Sequence, residues 1–280
     1  MMNRWLSFAR VKRAIKAAAP RGLWGALLRL RSLIVLARFP SRQARHRYHG
    51  FPLSVCIADP IGQSWYDHDW DDLPELTVLS ASKLKVGAKV FDLGAHQCVV
   101  ALIQSRIVGP LGSVVAVEAS AHDVEIARMN RSINNAANLE IVHGAIAERS
   151  GEIAFTLEGH VDDGFSKSGR VSVAAYSIDD LSRRFGFPDV LFIDVEGYEL
   201  HALRGAGETL RHFPDCFVEV HVGVGLERCG GTADQIIRFF PTDRYLCLVR
   251  SANSSEFTKL AESQEVLKER FFLLALARIV

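Results

Sequence analysis

Residues 90–98 read Val-Phe-Asp-Leu-Gly-Ala-His-Gln-Cys (VFDLGAHQC), and the rest of the chain is read outward from them. The apolar run 90–93 is short enough to be a buried strand. Asp92 lies near its end, and Gly94 supplies a turn whose backbone angles a β-carbon would hinder. Residues 99–108 continue as an apolar helix. Strand, glycine turn and helix in this order open one half of a doubly wound sheet, in which ligands sit beyond the carboxyl ends of the strands. A dinucleotide site would carry two more glycines, because a pyrophosphate presses against bare backbone at a helix N-terminus. Here Gly94 stands alone in the turn.

A second acid, Glu118, closes the next apolar strand, 113–117, at 26 positions beyond Asp92. That interval is one strand-helix-strand unit, and an acid there can accept two ribose hydroxyls. A nucleoside ligand without phosphate needs no further glycines. S-adenosylmethionine is such a ligand, an adenosine with a methionine tail and a cationic sulfonium, and an aspartate beside the turn suits its charge. The plainer readings are a tight structural turn for Asp92 and Gly94, and a solvated strand end for Glu118.

From residue 89 onward strands alternate with helices. Strands are expected at 90–93, 113–117, 139–143, 152–157, 171–175, 190–195, 216–222, 245–249 and 271–277. Helices are expected at 99–108, 122–134, 179–185, 199–211 and 232–240. This rhythm predicts an α/β fold with a mostly parallel, seven-stranded Rossmann-like sheet and helices on both faces. One of the last two strands is expected to run antiparallel. Ahead of it, 3–19 and 22–38 read as two helices broken at Pro20 and Gly22, 40–50 as a basic loop, 52–58 as a short strand, 59–72 as a lead-in loop and 73–84 as a helix.

Charge divides the 280 residues. Residues 1–58 hold twelve Arg and Lys and no acid, which leaves 21 basic against 32 acidic residues over 59–280. We therefore expect a basic helical extension, 1–58, before a catalytic domain, 59–280. The extension invites an anionic partner such as a membrane surface. Nucleic acid is disfavoured as a substrate, because the basic residues lie away from the presumptive site. The apolar stretch 22–37 is interrupted by Arg29 and Arg31, too short and charged to span a bilayer; it reads first as a solvated or dimer-packed helix and second as one lying on a membrane. No secretory signal stands out. Five scattered cysteines without a C-x-x-C pair point to a reducing, cytoplasmic setting, with peripheral membrane contact open. Oligomeric state is left open.

Residues 191–200 (LFIDVEGYEL) form the other informative segment. A buried strand ends in Asp194, and Glu196 and Gly197 open a turn into a helix near Glu199. Three acids at the ligand-binding edge raise one another's pKa, so they hold a proton or share a cation. Downstream, FVEVH (217–221) places Glu219 and His221 on one face of the next strand. His221 suits removal of a hydroxyl proton near neutral pH. The bland alternative is a structural histidine bonded to a neighbouring carboxylate. His143, at a strand end, reads as structural. The loop Asp162-Asp163-Gly164-Phe165 is a lid or a solvated turn, and Trp65, Tyr66, His68 and Trp70 line an acceptor pocket or simply pack.

Taken in order, VFDLGAH, VVAVEAS, HGAIAERSGEIAF, SIDDL, IDVEGYELHALRGA and VEVH resemble the FkbM-type methyltransferases, across roughly residues 59–250. The resemblance implies a class I, S-adenosylmethionine-dependent O-methyltransferase. Asp92, Gly94, Ala95 and His96 match the motif around the methionine tail. Glu118, with Ala119 after it, matches the ribose-binding acid, and Gly144 and Ala145 fall where the adenine ring is lined. Asp194, Glu196 and Gly197 match the central signature. The chain departs from the family at His96, where Asn is common, at Cys98, where Gly is usual, and at Phe192, where many members carry Lys.

The expected reaction is in-line methyl transfer to a hydroxyl of a sugar, a glycan or a natural-product small molecule. His221 or Asp194 serves as base, and Glu196 orients substrate or its own turn. A divalent cation on Asp194, Glu219 and His221, binding a substrate diol, is a less favoured use, and mixed O and N ligands would suit Mn²⁺ or Zn²⁺ better than Mg²⁺. A nicotinamide-dependent oxidoreductase and a catalytically silent Rossmann-like module are the rival readings.

Overall fold

The computed structural model describes residues 38–156 and 170–278. The helix expected over 3–19, all but the last residue of that expected over 22–38, with the membrane role drawn from them, and the loop 162–165 lie outside the described residues.

The described chain opens as an antiparallel hairpin of β1 (Arg42–Tyr48) and β2 (Phe51–Ile57), turning at His49 and Gly50, both at positive φ. The expectation of a basic loop over 40–50 is corrected here. What composition hid is a seam of opposite charge. Arg42 pairs with Asp67, and His46 lies between Asp67, at 3.1 Å, and Asp69, at 3.3 Å. The Arg47 N–H donates to Asp69 at 2.9 Å. Part of the basic extension thus meets its anion within the same chain. The hairpin lies on the extension side of residue 58, yet Tyr48, Leu53, Val55 and Ile57 are buried in one core with Val90 and Phe192.

The lead-in expected as loop over 59–72 contains α1 (Pro60–Tyr66). Asp59 caps it by accepting from the Gly62 N–H at 2.7 Å, and Pro60 sits in the first turn, where its missing N–H costs nothing. A second short helix, α2 (Pro74–Ser80), follows.

Strand and helix then alternate as β3 (Lys89–Leu93), α3 (Val99–Val108), β4 (Ser113–Glu118), α4 (Ala121–Ile133), β5 (Leu139–His143), β6 (Ala145–Ile146), β7 (Gly151–Thr156), β8 (Arg170–Tyr176), α5 (Ile178–Phe185), β9 (Val190–Ile193), α6 (Glu199–Arg204), β10 (Asp215–Val220), α7 (Ala233–Ile237), β11 (Tyr245–Ser251), β12 (Thr258–Lys259) and β13 (Phe271–Ala277). The central sheet runs β12-β11-β13-β10-β9-β3-β4-β5. It holds the seven expected strands plus the two-residue β12 at one edge. The strands from β5 to β10 are parallel, and β13 is antiparallel to both β10 and β11. A small separate sheet, β6-β8-β7, takes the strands expected near 152–157 and 171–175.

Alternate residues of the central strands serve two cores. Val90, Phe192 and Phe217 pack under the hairpin, α1, α2 and α3, whereas Phe91, Leu93, Leu191, Ile193 and Val218 pack under α5, α6 and α7. Burial on both faces explains why these strands read as apolar runs without polar alternation. From β3 the chain moves outward to β4 and β5, then returns to β9 on the other side of β3. The order therefore reverses between β3 and β9, and the crevice beyond that point is where a ligand fits.

Candidate active site

The turn after β3 is tied to both neighbours. Val117 O accepts from the N–H groups of Gly94, at 2.9 Å, and Ala95, at 3.0 Å, while Asp194 N–H donates to Leu93 O at 2.9 Å. Gly94 has φ 89°, and a β-carbon there would lie 1.7 Å from Asp194 O. Its bareness lets the end of β9 close on the turn, the structural role that was one of the two readings. His96 and Cys98, where the family uses Asn and Gly, both sit at positive φ, 47° and 62°. Residues with a side chain visit that region at a cost. Cys98 is fully buried and lies away from the cavity wall.

A cavity of about 370 Å³ opens at the reversal point. Asp92, Gly94, Ala95 and His96 form one side, and Phe192 and Asp194 come from β9 and the position after it. The third side is Trp65, Tyr66, His68 and Trp70, from α1 and the segment after it. The aromatic lead-in thus lines the pocket rather than merely packing. Tyr66 Oη lies 2.7 Å from His96 Nδ1, and burial pushes the His96 imidazole below its usual pKa. Phe192 stacks on Phe217 with ring centroids 4.1 Å apart, so the cavity wall at Phe192 is aromatic and carries no charge.

Asp92 is almost wholly buried, and its Oδ2 has no hydrogen-bond partner. Burial, then the Glu118 carboxylate, push its pKa up to about 7. Glu118 is likewise driven to about 7 by burial, against the opposing pull of backbone donors. It accepts from His96 N–H at 2.8 Å and Ser120 N–H at 2.6 Å. Glu118 therefore holds the turn, and each of its oxygens keeps a further lone pair for another donor. Glu118, Ala119, Gly144 and Ala145 do not line the cavity. Ala119 and Ala145 meet in a small apolar cluster with Phe155 beside it, and a β-carbon on Gly144 would lie 2.5 Å from the Tyr176 ring.

The second cluster is assembled by two touching turns. Glu196 (φ 51°) and Gly197 (φ 98°) bend the chain after β9, and a β-carbon on Gly197 would lie 2.6 Å from the backbone of Gly225, in the turn after β10. Bare Gly197 lets the turns meet. Glu199, fully buried, accepts from Gly197 N–H at 2.7 Å, and the same Oε1 lies 2.7 Å from His221 Nδ1. On its other side, His221 Nε2 is 3.3 Å from Glu196, 3.5 Å from Glu219 and 3.7 Å from Asp194. Burial opposes charge on His221, but the bond and charge of Glu199, with Asp194 and Glu196, raise its pKa to about 9. Asp194 is held well above the carboxylate range by desolvation and by Glu219. Of the three expected catalytic residues, only Asp194 lines the cavity, while Glu196 and His221 stand behind it.

Sequence reading counted Glu199 among three clustered acids without giving it a role. Its signal was the Gly-x-Glu spacing, which lets a side chain cap the turn two residues back. It also missed Asp59, which accepts from Gln97 at 2.7 Å, lies 2.9 Å from His122 Nε2, and anchors the start of α1. Burial would raise the Asp59 pKa, yet its bonds to His122 and Gly62 bring it to about 2.

Comparison with known proteins agrees with this geometry. Residues 86–246 match the family described as the methyltransferase FkbM domain. No curated relative matches. Among solved structures, the chain is similar to a methyltransferase FkbM from Methylobacillus flagellatus KT, at 16% identity and TM-score 0.45, over 67% of this chain and 43% of that one. It thus spans less than half of that relative's length. A SAM-dependent methyltransferase from Aquifex aeolicus is 16% identical with TM-score 0.42, over 78% of this chain and 93% of that one. Aeropyrum pernix fibrillarin, in complex with natively bound S-adenosyl-L-methionine, is 13% identical with TM-score 0.45, over 85% and 100%. Because the family match spans more than half of the chain and falls on the strands and turns that build the cavity, the chain belongs to the FkbM methyltransferase family.

Proposed function

We propose that this methyltransferase uses S-adenosylmethionine and methylates a hydroxyl of a sugar, a glycan or another natural-product small molecule. One observation carries the reading: a buried carboxylate oxygen without a partner, Asp92 Oδ2, faces a turn whose backbone N–H already serves an anion, Glu118. An orphaned buried carboxylate calls for a donor or a cation. A phosphate at the same turn would be repelled by Glu118, which disfavours a dinucleotide and suits a cationic nucleoside. The residues present therefore fit S-adenosylmethionine, which when bound supplies a methyl group activated by positive sulfur.

The chain's own residues position and deprotonate the acceptor. Trp65, Tyr66 and Trp70 wall the cavity and offer aromatic surface for an acceptor ring to pack on. Such alignment can supply about 7–11 kcal/mol of the barrier. When bound, the cofactor would give up its methyl group to the acceptor oxygen and keep the electron pair of the broken bond on sulfur, and the chain would take up the hydroxyl proton. Asp194 is the acid facing that proton. His221 is a positioning residue in this reading, because it stands off the cavity behind Asp194.

Calorimetric titration of the full chain with S-adenosylhomocysteine, paired with labelled-methyl transfer onto a panel of hydroxyl compounds, tests this. Wild type takes up the nucleoside saturably, and Asp92→Ala and Glu118→Ala lose binding tenfold or more. Asp194→Asn binds but turns over about 10²–10⁴-fold more slowly. Undiminished binding in both acid variants overturns the cofactor site, and uptake of a nicotinamide cofactor instead makes the protein an oxidoreductase.

A further inference from the structure

The His221 cluster carries an unsatisfied demand that its hydrogen bonds do not meet. His221 is 2% exposed, and its Nε2 has no hydrogen-bond partner. Neither has Asp194 Oδ1, which points at it from 3.7 Å. One ligand atom each from Asp194, Glu219 and His221 falls within 4.8 Å of the others. The Nε2 to oxygen distances are 3.5 Å for Glu219 and 3.7 Å for Asp194. They are long for hydrogen bonds, but two ligands about 2.0–2.2 Å from a tetrahedral ion are about 3.3–3.5 Å apart. On the far side of the ring, Glu199 fixes Nδ1, which is how metal-binding imidazoles are usually oriented. Four carboxylates surround one imidazole, and Arg270, 3.4 Å from Glu219, adds a single positive charge at the rim. The other such grouping among the described residues, Asp59, His122 and Asp123, differs: Asp59 already serves Gly62, Gln97 and His122.

We propose that Asp194, Glu219 and His221 hold a divalent transition-metal cation, with Glu199 as the positioning residue behind the imidazole. Two carboxylate oxygens and one nitrogen suit ions of the Mn²⁺ or Zn²⁺ kind better than Mg²⁺. Asp194 also lines the cavity, so the remaining coordination positions face the space assigned to the acceptor. An acceptor with two adjacent oxygens, a vicinal diol or a hydroxy-carbonyl, would bind there through both. The acceptor class rests on the methyltransferase reading above, and in this form Asp194 acts as a ligand. The cation itself does not depend on that reading.

The test uses the full chain, stripped with chelator and given Mn²⁺ alone, followed by electron paramagnetic resonance. We expect one saturable equivalent with ¹⁴N coupling from a single imidazole. Uptake should weaken at least tenfold in Glu219→Gln and His221→Asn, and about 10–100-fold in Glu199→Gln. S-adenosylhomocysteine binding, measured in parallel, should survive Glu219→Gln. No saturable uptake by the wild type, uptake without nitrogen coupling, or uptake unchanged in both ligand variants overturns the site, leaving a protonated imidazole as the occupant of that space. Because cofactor binding is read separately, losing the cation leaves the methyltransferase reading standing, and losing cofactor binding leaves the cation standing.

Discussion

Two acid clusters crown the same sheet, one at the tips of β3 and β4 and the other at the tips of β9 and β10, and they meet their charge in opposite ways. At the first, Asp92 and Glu118 are buried together, and both are pushed up to about 7. Glu118 is partly relieved by the N–H groups of His96 and Ser120, while Asp92 Oδ2 has no partner. At the second, the acids surround an imidazole already fixed by Glu199. The first cluster is destabilising until a ligand arrives, whereas the second is braced by its own histidine. Identical residue types thus meet their charge differently: backbone N–H groups relieve Glu118 alone in the first cluster, whereas the second is built around an imidazole fixed by Glu199, with Asp194 Oδ1 and His221 Nε2 still without partners.

The comparison is broken most severely at Gly94, where the two tips touch. Gly94→Ala puts a β-carbon 1.7 Å from Asp194 O and loses a backbone conformation that Ala adopts poorly. We expect more than about 4 kcal/mol of lost stability in urea unfolding, among the larger effects of single substitutions. A near-neutral result would mean that the tips are not in contact.

The two clusters should then respond to side-chain removal with opposite sign. Glu199→Ala strips the brace from His221 and Gly197, and should cost about 3–4 kcal/mol, as breaking a buried pair does. Asp92→Asn removes a buried charge without a partner. At about pH 8 it should stabilise the ligand-free protein by about 1–2 kcal/mol while weakening cofactor binding. Denaturant midpoints of both variants, measured side by side, check the contrast, and destabilisation by Asp92→Asn would sink it.

The last test is in pH. Since Asp92 and Glu118 titrate near 7 when folded, the native chain keeps protons that the unfolded chain releases from about pH 4 upward. Their contribution to ligand-free stability is full below about pH 4, declines as pH rises to 7 and is level above. Cofactor binding near pH 6 should release protons, read as a dependence of calorimetric heat on buffer ionisation enthalpy. Proton uptake would reverse the assignment.

An element is legible in the sequence to the extent that its signal is local. Helix 99–108 and strands 139–143 and 271–277 were legible to the residue, because apolar runs bounded by turn residues report burial directly. The hairpin was not. RQARHRY reads as solvated loop until Asp67 and Asp69 are brought opposite it, and Cys56 and Ser54 find their backbone partners in Asn130 and Asn134, some 74 to 80 positions away. The helix α1 was hidden because its cap, Asp59, is also held by Gln97 and His122 from later in the chain.

By itself the sequence determined the alternation of strand and helix, the parallel core and the acids at the strand tips, since those follow from periodicity and spacing along one segment. Only tertiary structure decided that Gly94 makes room for Asp194, that Glu199 rather than solvent holds His221, and that aromatics from 65–70 close the cavity. Each of these depends on which turns touch. Contact between turns is set by strand order and packing, which no local stretch of residues encodes.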